Sequence, residues 1–120
     1  MSRTKKIKLS TYNCNVIIII TDNLKAKVNS VYKKLKQNEK FSDEAEGVVF
    51  TFDIDSYYII LDEIYLSHNT IAHEIYHAVV KVTEDRDIVD EESQAWLMGY
   101  LTEVMYKHIY KSGLKVVDQT

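Results

Sequence analysis

His73 and His77 stand four residues apart with Glu74 between them, in the stretch Ile71-Ala72-His73-Glu74-Ile75-Tyr76-His77-Ala78-Val79-Val80. A helix turns by about 100° per residue, so side chains four apart stack on one face at roughly 5–6 Å. Two imidazoles placed in that way can grip one cation, and zinc takes such nitrogens at about 2.0–2.1 Å. Glu74 follows the first histidine directly. It is too far round the helix to ligate the same ion easily, yet it can reach a water held there, which is the position of a general base. The chemistry to which the spacing points is metal-assisted hydrolysis.

Such a site needs a helix, and the apolar residues supply one. Ile71, Ile75, Ala78, Val79 and Val82 form one stripe, with His73, His77 and Glu74 largely opposite it or to its side. Asn69 or Thr70 is the expected N-cap. A catalytic zinc usually has three protein ligands and an open fourth position, so a third donor is required. The polar connection Thr83-Glu84-Asp85-Arg86-Asp87 leads to a second helical stretch from about Asp90 to Tyr110, which opens with two carboxylates, Glu91 and Glu92. Both are candidates, the helical wheel does not choose between them, and either one also suits the positive end of the helix dipole. Ala95, Gly99 and Thr102 make a strip of small side chains along which the two helices are expected to approach. His68 reads as a loop residue, and His108 as a core residue beside Leu97, Leu101 and Val104.

The combination of His73-Glu74-Ile75-Tyr76-His77-Ala78 with the downstream Glu92-Ser93-Gln94-Ala95-Trp96 and Gly99-Tyr100 resembles the short gluzincin-type metallopeptidases, and is especially similar to the small metallopeptidases encoded by bacteriophages. The resemblance covers roughly Gly47 to Tyr110. It implies a zinc-dependent peptide hydrolase on a zincin-like fold, with Zn2+ held by His73, His77 and Glu92 and the water activated by Glu74. It favours Glu92 over Glu91. It also implies a protein or extended peptide substrate, aligned on an edge strand formed by part of Tyr57 to Leu66. The metzincin pattern is excluded, because it needs a glycine at position 80 and a histidine at position 83, where this chain has Val80 and Thr83. Larger gluzincins stabilise the oxyanion from a second domain. This chain is too short for one, which leaves Tyr65, Tyr106 and Tyr110 as candidates.

The elements that must carry the site follow from local pattern. At 120 residues the chain is expected to form one domain with a modest core. Asn15 to Thr21 is a β-branched run and reads as a buried strand. Asp22 or Asn23 then caps a helix running to about Gln37, with Leu24, Val28, Val31, Tyr32 and Leu35 on one face. Gly47 to Asp53 and Tyr57 to Leu66 are strand-like, with a turn at Asp55-Ser56, and the residues after Ser112-Gly113 make an appended strand or a frayed end. The expected order is β-α-β-β-α-α, an α+β domain with a small mixed or antiparallel sheet against the helices.

The one long apolar run, Val16 to Ile20, is far below the roughly 18 residues of a membrane span and too short for a secretory core, so neither membrane nor export is expected. A single cysteine, Cys14, cannot form an internal disulfide; a reducing cytoplasm fits, with Cys14 a small buried residue at the start of a strand. The net charge of −3 conceals a division between residues 1–40, which carry +8, and residues 41–120, which carry −11. Lys25, Lys27, Lys33, Lys34 and Lys36 cover the polar side of the first helix, with Arg3, Lys5, Lys6 and Lys8 upstream. Such a patch could track phosphates, but no aromatic residue is interleaved on that face, which argues for a solvated helix and against nucleic acid. The alternative it leaves is a non-catalytic, phage-type binding or regulatory protein in which zinc only staples two helices. A closed structural site commonly has four ligands, often with cysteines, and the lone Cys14 does not supply them.

Overall fold

The stretch from Val16 to Ile20 is apolar at odd and even positions alike, so a strand made from it must be covered on both faces. That requirement sets the architecture. The computed structural model describes residues 2–35, 45–51 and 55–117. In it, β2 (Cys14–Thr21) lies inside a four-stranded sheet of order β1-β2-β4-β3. β1 (Ser2–Leu9) pairs antiparallel with β2, β4 (Ser56–Asp62) pairs parallel with β2, and β3 (Gly47–Phe50) pairs antiparallel with β4.

The two parities of the central strands feed two cores. Val16, Ile18 and Ile20 of β2, with Tyr57, Ile59 and Leu61 of β4, pack among residues of α2 (His68–Asp85) and α3 (Glu91–Lys111). Ile19 and Ile60 point the other way, with Phe50, onto Leu24, Val28 and Val31 of α1 (Leu24–Lys34). The described residues thus form an α+β fold, a mixed four-stranded sheet with three α-helices. No helix among the described residues is long and apolar enough to cross a membrane.

Four points differ from the sequence reading. The order begins with an additional strand, β1, so it runs β-β-α-β-β-α-α. Only Ile7 and Leu9 of that strand are buried, opposite Val16 and Cys14, among exposed lysines. An edge strand with lysines on it has too weak an alternation to register as one, although the lysines suit an edge that must not recruit another chain. Second, the N-cap of α2 is Ser67, whose Oγ accepts from Thr70 N at 3.0 Å, rather than Asn69 or Thr70. His68 is therefore the first residue of that helix rather than part of a loop.

Third, β4 stops at Asp62 and gives way to a 3-10 turn over Glu63–Tyr65. Fourth, Gly99 is exposed and a Cβ added there would meet nothing within 4 Å, so the expected small-residue strip is not the seam between the helices. Asn23 is the cap of α1, its side chain accepting from Ala26 N at 3.1 Å. The expected ends at Gln37 and Asp53 lie outside the described residues. The tail makes one parallel bridge, Val117 to Ser67.

Candidate functional site

α2 turns the sequence stripe into burial. Ile71, Ile75, Ala78, Val79 and Val82 are all buried, while His73 and His77 are exposed one turn apart. Their Nε2 atoms stand 3.1 Å apart, the ring planes crossing at 80°. Two nitrogens at zinc's bond length on a tetrahedral centre would be about 3.3 Å apart. The pair as it stands therefore fits one such ion, and equally allows one ring N–H to donate to its neighbour.

Glu74 behaves differently from the histidines that flank it. It lies at the border of the core stripe on the side of β3, and at 7% relative exposure it is buried. Its Oε2 is 4.0 Å from His73 Nε2. Burial pushes the carboxyl above its ordinary range, and the imidazoles of His73 and His77 work against that shift. Room for Glu74 comes from Gly47, the first residue of β3, where an added Cβ would come within 2.9 Å of Glu74 Cγ and 2.7 Å of Leu61 Cδ2. A hollow of about 300 Å3 opens here, walled by Ala45, Glu46, Asn69 and Thr70 beside His73 and Glu74. Gly47 was missed as a site residue, although a glycine at the head of a strand is the usual mark of close approach by another group.

The strand beside this hollow is β3. β4 was expected to be the edge strand, but it lies between β2 and β3, and its Ile59, Ile60 and Leu61 are fully buried. Residues apolar on both faces belong to an interior strand, which leaves the edge to the shorter β3.

The structure does not bring the downstream carboxylates to the histidine pair. The α2–α3 hairpin sets the first turn of α3 beside the last turn of α2, where Gln94 Nε2 donates to Ile88 O at 3.2 Å. Glu92 lines a separate depression with Thr11, Tyr12 and Trp96, and Glu91 lines the groove between the helices with Tyr76 and Val80. Neither depression includes His73, His77 or Glu74. Among the described residues, no group of three or more His, Cys, Asp or Glu side chains is placed to hold one metal ion. The helical wheel fixes angles round each helix, but the pairing of their faces is a matter of packing, and His73 and Glu74 border a hollow that Gly47 of β3 also lines.

The remaining candidates are dispersed. His68 Nδ1 is 2.6 Å from Tyr106 Oη, and Tyr110, exposed, leans on Tyr106 with ring centroids 6.0 Å apart. Tyr65 borders a neighbouring hollow that shares Ala45 and Glu46 with the one at His73. His108 is half-buried, with Nε2 3.2 Å from Arg3 O. Cys14 is buried at the start of β2, as expected, and burial pushes its thiol up. Comparison with protein-family models, with curated proteins and with solved structures gave no significant match.

Proposed function

We propose that the protein is a zinc-dependent peptide hydrolase on a zincin-like fold, with His73 and His77 as the metal-binding pair and Glu74 as the general base. The observation that carries this reading is the 3.1 Å approach of the two Nε2 atoms with a buried carboxylate 4.0 Å from one of them. Zinc bound there supplies a Lewis acid that acidifies a water and polarises a carbonyl. Glu74 takes the proton of the attacking water and passes it to the leaving amine; the raised proton affinity of a buried carboxyl suits a group that must hold that proton between the two steps. Glu92 is the third ligand that the resemblance assigns, and it could serve only by moving in from the first turn of α3.

The substrate class is an extended peptide. β3 lies at the sheet edge against the hollow and can accept a strand by backbone pairing, with Val48 and Val49 beside it. A reducing cytoplasmic setting accords with the single buried thiol. The test is metal analysis of the purified protein joined to hydrolysis of a mixed peptide library. Wild type should hold close to one zinc per chain and cleave. Glu74→Gln should keep the zinc and lose cleavage, whereas a folded wild-type protein that takes up no added zinc, or a Glu74→Gln variant as active as wild type, would reject the proposal.

A further inference from the structure

Away from the histidine pair, the fold brings together two features that lie far apart in the chain. β1 lies along α3, and a groove of about 390 Å3 between them is lined by Lys5, Lys6 and Lys8 from the strand and by Lys107, Lys111 and Tyr100 from the helix. No carboxylate is among the described residues lining it. Lys6 and Lys8, paired with Ile17 and Asn15, alternate to the α1 face of the sheet, and Lys107 is engaged by Glu103 at 2.9 Å, so Lys5 and Lys111 remain to meet another anion in the groove. One helical turn before Tyr100, Trp96 stacks on it with ring centroids 5.3 Å apart and planes within 5° of parallel. Trp96 is 54% exposed, and its other neighbour, Tyr12, is tilted away at 42°. From Trp96 to Lys111 the helix runs about 22 Å, enough to lie against a few nucleotides.

Trp96 holds a large flat ring out in water, and the half-buried Tyr100 on which it stacks lines the cationic groove. A duplex would offer only phosphates to this surface, because its base faces are stacked on one another. A single strand offers phosphates to the lysines and base faces to the rings. We infer that the groove between β1 and α3, with the Trp96–Tyr100 stack at its end, binds single-stranded nucleic acid. Lys5 comes to share a groove with Tyr100 only because β1 pairs with β2 and so lies beside α3. The binding does not depend on the hydrolase reading, because none of these residues borders His73 or Glu74.

The protein contains one tryptophan, which makes the surface its own reporter. The full chain is titrated at low salt with oligothymidine, with a duplex of equal length and with inorganic polyphosphate. Oligothymidine should quench Trp96 emission and bind more tightly than the duplex. If Lys5 and Lys111 both meet phosphates, the logarithm of its affinity should fall with the logarithm of salt at a slope of about −1.4. Lys5→Glu and Lys111→Glu should each weaken binding several-fold, and Tyr100→Ala should weaken it by about tenfold or more while leaving polyphosphate binding unchanged. Should Tyr100→Ala unfold, Trp96→Ala at an exposed position serves instead, read by anisotropy of a labelled oligothymidine. Glu74→Gln should bind as wild type does. Absence of binding at low salt, polyphosphate or duplex bound as tightly as oligothymidine, or aromatic variants that bind oligothymidine normally would each overturn the inference.

Discussion

Gly47 and Glu74 can be neighbours only because position 47 carries no side chain, since a Cβ there would stand 2.9 Å from Glu74 Cγ. The buried carboxylate, its backing strand and the hollow beside His73 are therefore one unit, although they come from segments more than twenty residues apart.

Gly47→Ala is expected to push Glu74 or β3 aside. Overpacking of this kind costs about 1–3 kcal/mol, which a thermal melt would register. On the hydrolase reading, cleavage should fall by at least about tenfold, as misplacement of a catalytic group does, with zinc content unchanged. Full cleavage by a folded Gly47→Ala protein would show that the seat of Glu74 does not matter.

His73→Ala and His77→Ala should each lower zinc affinity by more than about 100-fold, beyond what outer partners of a metal ligand are worth. Glu92→Gln, altering a residue that sits instead with Thr11, Tyr12 and Trp96, should leave that affinity unchanged. Competition titration with a zinc chelator separates the two cases. A Glu92→Gln loss as large as that of the histidines would mean that the first turn of α3 swings toward α2 when metal binds.

At the opposite end of α2, Tyr57 donates its hydroxyl proton to Asp85, while Arg86 reaches Tyr57 Oη at 2.8 Å and Tyr12 O at 2.6 Å. Burial first, and the Asp85 carboxylate second, push the Tyr57 phenol up to about 12, against the influence of Arg86. The folded state thus keeps a proton that the unfolded chain gives up near pH 10. The stability this provides is intact below about pH 10 and is lost as pH rises toward about 12. Denaturant midpoints measured across that range should fall for wild type and stay flatter for Tyr57→Phe. The variant should also lose about 2 kcal/mol at neutral pH, the worth of a hydrogen bond to a charged partner.

Ser67→Ala should cost about 1 kcal/mol, because the Oγ of this buried residue caps Thr70 N at 3.0 Å. Urea denaturation measures the loss. Zinc uptake should persist, since the cap lies more than a turn before His73; loss of zinc with the fold intact would mean that the cap sets the pitch of the histidine pair.

Much of this molecule could be read from short-range pattern. The period of Ile71, Ile75, Ala78, Val79 and Val82 is a property of one helix, and so is the meeting of His73 with His77. The apolar run of β2 demands cover on both faces wherever it goes, which made it an interior strand before any partner was known. β1 escaped notice because two buried residues among lysines are no pattern until β2 lies alongside them.

Local sequence alone determined which side chains share a helix face, and so the convergence of two imidazoles, because helical geometry repeats within four residues. Packing decided what each face meets: that Glu74 is sunk against Gly47, that β3 rather than β4 is the edge strand at the hollow, that Glu92 sits apart from the histidines, and that Lys5 of β1 shares a groove with Tyr100. These contacts join residues distant along the chain, and they arise from filling one core volume and satisfying one sheet's hydrogen bonds, conditions that no single segment carries.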